Sequence, residues 1–378
     1  MIYFDSAATT LQKPREVAQA VAWAIQNCAS PGRGDHSSTR RAEEIIYQCR
    51  EELAELFGAS SPEQIIFTQN ATHALNLAIR TLVRPGDRVL ISGWEHNAVT
   101  RTLASIPGVE VAVAQAPLFD DAGTLASFQH QLAQGPTAVV CTCVSNVFGY
   151  VLPYYEISRL CREAGVPIIL DASQAAGTLP VRLDECRADY IAFPGHKGLY
   201  GPQGTGALVC SNDRGLMPLL TGGTGSESKH QQMPDYLPDR GEAGTQNVAG
   251  IAGLLQGVRF VRRVGINRIL AHERQLMRHL EQQMHEYRPL TGKFSSDNNQ
   301  VSVVSFVCGN LDCQELARVL GKEGIAVRAG LHCAPIAHQN GGTLEAGTLR
   351  VSFSAFNTAE EVDYFSRKVK RIIHNKLT

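Results

Sequence analysis

Short apolar runs recur through the first half of the chain, and segments with helical patterning separate them. Runs of this length and composition predict buried strands, and their alternation with helices favours a doubly wound, mainly parallel sheet. The predicted strands cover residues 64–68, 88–92, 109–115, 138–145, 167–170 and 190–193. In such sheets, ligands bind beyond the carboxyl ends of the strands. The residues that follow each run are therefore the first candidates for a functional site.

The rest of the pattern predicts how the chain divides. Helical periodicity covers residues 17–25, 39–57, 71–83, 248–263, 266–287, 313–322 and 358–374, and further strands are predicted over 301–308, 325–328 and 348–353. Residues 220–245 are rich in glycine and polar side chains, which predicts an irregular segment. We expect an N-terminal arm over 1–15, a large domain over 16–254 and a smaller α+β domain over 255–378.

Composition excludes several classes of protein. The 378 residues are 44% hydrophobic and 19% charged, as in soluble globular chains, and the formal charge of −1 gives no reason to expect nucleic acid or an anionic membrane as a partner. No apolar run reaches the length of a membrane span, and the N-terminus lacks the pattern of a signal peptide. The ten cysteines follow no zinc or redox spacing, so we expect no metal and a reducing, cytoplasmic location.

An acid and an amine lie at the ends of two neighbouring predicted strands. Asp171 closes the run 167–170, and Lys197 follows the run 190–193 in a loop rich in glycine and proline. This pair suits pyridoxal phosphate, because a lysine forms a Schiff base with the cofactor and an acid keeps the pyridine nitrogen protonated. For the pair taken alone, the alternative to a cofactor site is that Lys197 lies on the surface and Asp171 caps a turn.

Two further strand ends add polar groups to the same edge. His96 and Asn146 follow the predicted strands 88–92 and 138–145, and a histidine there can stack on a ring or transfer a proton. Ala71 and Thr72 open a helix that Asn70 caps, and free amides at a helix N-terminus bind phosphate well. Simple capping of the helix and a surface histidine are the plainer alternatives.

A cysteine and an arginine stand out in the C-terminal part. Cys333 lies in a loop beside His332 and near Arg328, where positive charge favours a nucleophilic thiolate. A zinc site of His332, Cys333 and His338 lacks a clear fourth ligand. Arg350 lies inside a predicted strand, where a buried lone charge is costly and a bound carboxylate would balance it. An arginine on the surface of an edge strand is the alternative.

Together these motifs resemble the cysteine desulfurases, pyridoxal-phosphate-dependent enzymes with the class V aminotransferase fold, and nearly the whole chain takes part. The matching segments are 3–10 (Tyr-Phe-Asp-Ser-Ala-Ala-Thr-Thr), 70–76 (Asn-Ala-Thr-His-Ala-Leu-Asn), 95–96 (Glu-His), 145–146 (Ser-Asn), 171–174 (Asp-Ala-Ser-Gln), 195–197 (Gly-His-Lys), 201–202 (Gly-Pro), 242–245 (Glu-Ala-Gly-Thr), 328–335 (Arg-Ala-Gly-Leu-His-Cys-Ala-Pro), Arg350 and 356–358 (Phe-Asn-Thr). The short loop before the cysteine resembles the second subgroup of the family. The resemblance implies a fold-type I α/β transferase with a seven-stranded, mainly parallel sheet and a smaller α+β C-terminal domain.

The resemblance also implies which residues hold the cofactor. Lys197 would bind pyridoxal phosphate covalently and move the α-proton of the substrate. The other implied contacts are Asp171 with the pyridine nitrogen, Gln174 with the ring hydroxyl, His96 stacked on the ring, and Ala71, Thr72 and His196 with the phosphate. Thr245 would reach the phosphate in a neighbouring subunit, so a homodimer with shared sites is implied.

For the substrate, the resemblance implies L-cysteine or selenocysteine. Asn146 and Arg350 would bind its carboxylate, with Ala8 and His36 also at the substrate. Cys333 would attack the substrate sulfur, carry the persulfide and pass it to an acceptor, which could be a protein, while alanine leaves. A selenocysteine lyase or another carbon–sulfur lyase of the same fold is the alternative, and a sulfur-carrier scaffold with a degenerate site is a third reading.

Two positions depart from the family pattern. Pro194 stands where relatives usually place serine or threonine, so a hydroxyl for the phosphate is absent there. Leu331 stands where the second subgroup usually has histidine, so a polar neighbour of the nucleophile is absent. These departures put cofactor retention, turnover and choice of acceptor in question.

Overall fold

A computed structural model describes residues 1–32, 34–211, 216–309 and 311–377 of the chain. The strands are β1 (Ile2–Tyr3), β2 (Ile65–Thr68), β3 (Arg88–Ser92), β4 (Glu110–Ala114), β5 (Ala138–Thr142), β6 (Ile168–Asp171), β7 (Tyr190–Pro194), β8 (Gly206–Cys210), β9 (Thr291–Gly292), β10 (Val303–Val307), β11 (Ile325–Ala326), β12 (Arg328–Gly330) and β13 (Thr348–Ser352). The helices are α1 (Arg15–Asn27), α2 (Ser37–Phe57), α3 (Ala71–Leu82), α4 (Asn97–Ala104), α5 (Asp121–Leu132), α6 (Tyr154–Glu163), α7 (Leu183–Cys186), α8 (Val248–Val264), α9 (Ile266–Met284), α10 (Cys313–Lys322), α11 (Pro335–Asn340) and α12 (Ala359–Leu377). Across the described ranges, the helices are too short or too polar to span a bilayer.

The central sheet has seven strands in the order β2-β8-β7-β6-β5-β3-β4. The neighbouring pairs from β7 to β4 are parallel, and β8 runs antiparallel to both of its neighbours, β7 and β2. The predicted mainly parallel, seven-stranded α/β sheet is therefore confirmed. Because β3, β5, β6 and β7 are parallel, their carboxyl ends meet at one edge of the sheet.

Both faces of the sheet are buried, which explains why its strands are continuous apolar runs. Alternate strand residues belong to two separate cores: Val139 and Leu170 lie in one and Val140 and Ile169 in the other. Helices α2, α5, α6 and α8 cover the first face, and α3 and α4 cover the second. The sheet thus forms a rigid platform from which the loops at its carboxyl edge project.

A smaller antiparallel sheet of order β12-β13-β10-β9 forms in the C-terminal part. The N-terminal arm joins this part, because β1 pairs in parallel with β11 and Phe4 packs edge-on against Phe353 and Phe365. The predicted domain limit at residue 254 falls inside the unbroken helix α8. The division of the chain into domains stays a prediction.

Two strand predictions differ from the structure. The segment 325–328 was expected to be one strand, but Ile325 and Ala326 pair with the arm while Arg328 begins β12, which pairs with β13. The chain changes its pairing partner at Val327, so the two halves of one apolar run belong to two different sheets. Strand β8 was missed, because its start lies in a run of glycines that reads as loop; it forms because Gly206 pairs with both Pro194 and Thr68.

A buried ion pair fixes α2 to the edge of the central sheet. Arg50 donates from both terminal nitrogens to the Glu242 carboxylate, at 2.8 and 2.7 Å, and the side chains are 8% and 6% exposed. Glu242 also accepts from the backbone N–H of Phe67 in β2 at 2.6 Å. A guanidinium left here without its carboxylate would be an uncompensated buried charge.

We expect Glu242→Gln to lower the free energy of unfolding by about 3–5 kcal/mol, because it removes one charge of a buried pair. Urea unfolding followed by circular dichroism at pH 7 measures the loss. Glu163→Gln is the matched control, since Glu163 pairs with Arg159 at 3.0 Å with both side chains more than half exposed. That control should cost about 0.5 kcal/mol or less. Equal losses in the two variants would show that the Arg50 pair is not a structural anchor.

Candidate active site

The carboxyl ends of β3, β5, β6 and β7 open onto one cavity of about 220 Å³. It contains most of the residues that the sequence assigned to a site, drawn from the arm, the central sheet and the C-terminal part: Ala8, Ala71, Thr72, His96, Asn146, Asp171, Gln174, His196, Lys197, Cys333 and Arg350. Pro194, one of the two departures from the family pattern, also lines it. The polar groups predicted from separate strand ends therefore share one site.

Two predicted residues lie elsewhere in the protomer. Thr245 and His36 are exposed and do not line this cavity. Thr245 instead borders a surface cavity together with Ser30, Pro31 and Gly32, close in sequence to His36. The single chain thus leaves both residues on its surface.

Asp171 and Lys197 face the cavity from adjacent strands. Asp171 is 2% exposed, its Oδ1 accepts from the backbone N–H of Ser173 at 2.9 Å, and it makes no ion pair within the described parts of the chain. Burial lowers the pKa of Lys197 to about 8, an effect that Asp171 opposes and Arg350 and Arg328 reinforce. A buried carboxylate without a cation, beside an amine that is partly neutral at pH 8, is a site prepared for a cationic ring and a reactive carbonyl.

His96 lies at the N-cap of α4 and is neutral at ordinary pH. Its Nδ1 accepts from the backbone N–H of Ala98 at 3.0 Å, which leaves the ring proton on Nε2. Burial lowers its pKa to about 4, with Asp171 opposing and Lys197 reinforcing the shift. A neutral imidazole here can stack on an aromatic ligand without adding charge.

The N-terminus of α3 forms the anion-binding end of the cavity. The side chain of Asn70 accepts from the N–H of His73 at 3.0 Å, so the N–H groups of Ala71 and Thr72 precede the first bonded turn. His196 contributes from the opposite side, with Nδ1 held 3.0 Å from the hydroxyl of Thr9. Free helix amides beside a hydroxyl are well suited to bind a phosphate.

The arm closes another side of the cavity. Gln174 donates from Nε2 to the carbonyl of Ala7 at 2.9 Å, which fixes its amide at the edge of the site. The carbonyl oxygen of Gln174 is then oriented by that bond. A ligand hydroxyl within reach could donate to it.

Arg350 is buried in the middle of the small sheet. It is 1% exposed, and β13 pairs on both sides, with β10 and β12, so the alternative of an edge-strand surface arginine is wrong. Its Nη2 pairs with Asp5 at 2.8 Å and its Nη1 donates to the carbonyl of Asn146 at 2.8 Å, while Nε has no partner in the described structure. The carboxylate of Asp5 thus balances part of the positive charge of Arg350, which was expected to need a bound carboxylate.

Cys333 is the exposed nucleophile candidate at the wall of the cavity. All the other cysteines are buried except Cys28, which is partly exposed. Nη2 of Arg328 lies 3.8 Å from Sγ of Cys333, so a cationic group lies beside the thiol. Leu331, the second departure from the family pattern, is 39% exposed beside it. The nucleophile therefore has a cationic neighbour on one side and an apolar one on the other.

The zinc alternative does not fit the geometry. Nε2 of His332 lies 3.1 Å from the hydroxyl of Thr348, and Nδ1 of His338 lies 2.7 Å from that of Thr343. Within residues 1–32, 34–211, 216–309 and 311–377, no three His, Cys, Asp or Glu side chains gather around a possible metal position.

Sequence reasoning missed two acidic residues. Asp5, which pairs with Arg350, was recognised only as part of a matching segment. Glu95 is fully buried, accepts from the N–H of Thr142 at 2.7 Å, and burial raises its pKa to about 8. A carboxyl group directly before a strand-end histidine was the available signal for Glu95. No local sequence pattern indicated that Asp5 pairs with Arg350, because the two residues are 345 positions apart.

Comparison with known proteins identifies relatives of this chain. The family model for class V aminotransferases matches residues 2–365. A probable cysteine desulfurase of Mycolicibacterium paratuberculosis is 34% identical over 98% of this chain, and one of Methanothermobacter thermautotrophicus is 33% identical over 98%. The chain spans 55% of the length of the first relative and 94% of the second.

Solved structures agree in fold. A cysteine desulfurase from Thermococcus onnurineus superposes with a TM-score of 0.91 at 28% identity, covering 99% of this chain and 95% of that one. A cysteine desulfurase from Escherichia coli superposes with a TM-score of 0.83 at 26% identity, covering 98% and 94%. The predicted fold-type I architecture is confirmed.

The lowered pKa of Lys197 predicts its reactivity. With a pKa of about 8, roughly half of the amine is neutral at pH 8, against about 0.3% for an ordinary lysine, so reductive methylation should modify Lys197 early and with a pH midpoint near 8. Peptide mass mapping across pH 6–10, on protein freed of small molecules, gives the site-by-site rates. The exposed Lys322 is the internal reference. If Lys197 follows the same pH dependence as Lys322, its amine is not tuned by the site.

Proposed function

This chain belongs to the class V aminotransferase family and to its cysteine desulfurase group, and from this premise we propose that it converts L-cysteine to L-alanine with pyridoxal phosphate. The sulfur is left as a persulfide on Cys333. The observation that carries the proposal is the single cavity in which Lys197, Asp171 and Cys333 meet. Because the chain spans little more than half of some relatives, the activity of the whole protein is part of this proposal.

The residues present fit pyridoxal phosphate. Asp171 is a buried carboxylate in need of a cation, the amides of Ala71 and Thr72 are free for a phosphate, and Lys197 is an amine with a lowered pKa of about 8. These three features line one cavity, which supports the proposal that they hold the pyridine nitrogen, the aldehyde and the phosphate of the cofactor. When bound, the cofactor supplies an electron sink for the pair of electrons left on the substrate carbon after proton loss.

The chain's own residues have the following roles in the proposal. Lys197 holds the cofactor and carries the proton to and from the substrate carbon. Asp171 keeps the pyridine nitrogen protonated, and the neutral ring of His96 stacks on the cofactor and relays a proton through Nε2. Gln174 accepts from the ring hydroxyl, and His196 adds to the phosphate site.

Arg350 is the proposed ligand of the substrate carboxylate. Its Nε is buried and unpaired in the described structure, and Asp5 occupies only Nη2. A carboxylate that reaches the remaining N–H groups gains charge-assisted hydrogen bonds. Ala8 leaves room beside it for the small cysteine side chain.

Cys333 completes the reaction. Its thiolate attacks the substrate sulfur, the carbon–sulfur bond breaks, and the carbon takes the bonding electrons and a proton to leave as alanine. The sulfur atom remains bound to Sγ as a persulfide, and no outside oxidant or reductant is required for this transfer. An acceptor thiol then removes the sulfur.

A homodimer is part of the proposal. Thr245 and His36 were assigned to the site but are exposed outside the cavity of their own chain. Their exposure supports a dimer in which the surface that carries each of them reaches the site of the other copy. The physiological acceptor stays open.

We expect Cys333→Ser to retain the visible absorbance of the bound cofactor but to release little alanine from L-cysteine, because no group remains to take the sulfur. Wild-type protein mixed briefly with cysteine should gain the mass of one sulfur atom on the peptide that contains Cys333, and a reducing thiol should remove it. Chromatographic analysis of alanine and peptide mass spectrometry measure the two products.

Cys28→Ser is the matched control for this change, since Cys28 is the other cysteine with solvent access and lies outside the cavity. It should behave as the wild type. Full alanine production by Cys333→Ser would favour the carbon–sulfur lyase or selenocysteine lyase alternative, and side-by-side assays with cysteine and selenocysteine would then separate these two.

Because position 194 is a proline, we expect weaker binding of the cofactor. A serine at this position adds a hydroxyl to the phosphate end of the cavity, and a hydrogen bond to a charged group contributes about 1.5–3 kcal/mol. We therefore expect Pro194→Ser to slow the loss of cofactor during dialysis, followed by absorbance. Pro180→Ser, exposed and outside the cavity, is the control. Unchanged loss from Pro194→Ser would mean that another group already fills this position.

A further inference from the structure

The N-terminal arm binds the main chain of the loop that carries Lys197. The backbone N–H of Thr10 donates to the carbonyl of His196 at 3.1 Å. The hydroxyl oxygen of Thr10 lies 3.1 Å from the same carbonyl and 3.3 Å from the carbonyl of Lys197. These two carbonyls belong to the peptides on either side of the Cα atom of Lys197. The arm therefore holds the part of the main chain from which the lysine side chain starts.

The contacts around the Thr10 hydroxyl fix its orientation. Nζ of Lys13 donates to Oγ1 of Thr10 and to the carbonyl of Thr10, both at 2.9 Å. Burial lowers the pKa of Lys13 to about 8, so at pH 7 the group is mainly an ammonium, which can only donate. Main-chain carbonyls can only accept. The hydroxyl of Thr10 therefore accepts from Lys13 and donates its own proton to the Lys197 loop.

Lys13 strengthens the hydrogen bond that Thr10 makes to the loop. A cation that donates to a hydroxyl polarises its O–H bond, so the next hydrogen bond in the chain becomes stronger. Thr10 is 4% exposed, and water therefore competes little for this contact. The ammonium of Lys13 thus acts on the loop through the hydroxyl of Thr10.

The other contacts of the loop come from its main chain. The N–H of Tyr200 donates to the carbonyl of Lys197 at 2.9 Å, and the N–H of Gly201 donates to the carbonyl of Gly195 at 2.7 Å. Gly198 packs so closely that a Cβ atom there would lie 2.4 Å from the carbonyl oxygen of Ala176. A substitution leaves these main-chain hydrogen bonds in place, whereas the hydroxyl contact of Thr10 can be removed by itself.

We propose that Thr10, oriented by Lys13, is a positioning residue for Lys197: its hydroxyl fixes the two peptides around this lysine so that the amine meets the cofactor aldehyde in line. The inference rests on the proposed function, in which Lys197 binds pyridoxal phosphate covalently. Loss of the hydroxyl slows formation of the covalent bond, because attack requires a close and aligned approach. Noncovalent binding of the cofactor is retained, because Thr10 is not among the described residues that line the cavity.

Thr10→Val tests the proposal, because it removes the hydroxyl at nearly constant volume, and Thr10→Ser retains it. Thr81→Val is the matched control: Thr81 is 6% exposed and lies outside the cavity. The hydroxyl of Thr81 accepts from the N–H of Met217 at 3.0 Å and donates to the carbonyl of Leu77 at 2.7 Å.

Two measurements on the full chain, freed of small molecules, separate the covalent step from binding. Pyridoxamine phosphate has no aldehyde, so a fluorescence titration with it gives the noncovalent affinity. Saturating pyridoxal phosphate gives the rate of the covalent step from the rise in visible absorbance. Borohydride reduction and peptide mapping identify the lysine that has reacted.

For Thr10→Val we expect the covalent rate to fall about ten-fold and the affinity for pyridoxamine phosphate to stay within about two-fold. Thr10→Ser and Thr81→Val should remain close to the wild type. An equal fall in Thr81→Val would overturn the proposal, because the effect would then be a general loosening. A loss of affinity with an unchanged rate would also overturn it, as would a rate in Thr10→Ser as low as in Thr10→Val.

Lys13→Met tests whether Lys13 acts through the hydroxyl. We expect the covalent rate to fall about three-fold when Thr10 is present and to change less than about two-fold in the Thr10→Val background, because coupled residues are not additive. An equal fall in both backgrounds would contradict the proposed action of Lys13 through Thr10.

Reductive methylation of Lys197 gives a readout that does not depend on the cofactor. Burial is the chief cause of the lowered pKa of this amine, so a main chain that is held less firmly lets the amine reach water. The pH midpoint of methylation should therefore rise from near 8 toward that of the exposed Lys322 in Thr10→Val, but not in Thr81→Val. The titratable and charged groups near the amine are the same in both variants: Asp5, Asp171, Arg328, Arg350, His96 and His196.

This readout separates the role of Thr10 from the proposed function. If the wild type formed no covalent bond between Lys197 and pyridoxal phosphate, the proposed function would be refuted, and the methylation midpoint would still report on Thr10. Equal midpoints in the wild type, Thr10→Val and Thr81→Val would overturn the positioning role.

Discussion

The buried charge of Arg350 is the interaction on which the site depends. Its guanidinium lies in the middle of the small sheet, and it bonds to Asp5 of the N-terminal arm and to the carbonyl of Asn146 in the loop that follows β5. Three separate parts of the chain are thereby brought to one point. A buried cation is tolerated only when such partners satisfy it, so each part is needed for the others to keep their places. The unpaired Nε is the remaining capacity for a ligand.

Burial sets the electrostatic character of the cavity. His96, His196 and His332 all have pKa values lowered chiefly by burial, and none of them adds positive charge at neutral pH. The cationic side chains that line the cavity are Arg328, Arg350 and Lys197, which is mostly protonated at pH 7 with its pKa of about 8, and the acidic side chain among the described lining residues is Asp171. Cationic groups therefore outnumber the acidic one, which suits a ligand that carries anionic groups such as a phosphate.

Much of this arrangement could be predicted from the sequence, because parallel strands impose it. Asp171, Asn146 and His96 follow apolar runs, and a parallel sheet necessarily brings such positions to one edge. What local pattern could not predict are contacts between distant segments. The pairing of Asp5 with Arg350, the transfer of β11 to the arm and the antiparallel strand β8 all depend on where the chain returns after long excursions. The burial of Glu95 belongs to the same class, since its partner Thr142 lies on a different strand.

The arm has a consequence for how the protein is made. Residues of the arm contact Arg350, Gln174 and His196, so the cavity is walled by segments that lie far apart in the chain. The central sheet can assemble while synthesis continues, but Arg350 follows Asp5 by 345 positions. Until Arg350 emerges, Asp5 has no cation and the arm cannot pair with β13. Completion of the site thus waits for the synthesis of β13, and a chain stalled before β13 would carry a formed central sheet with an incomplete site.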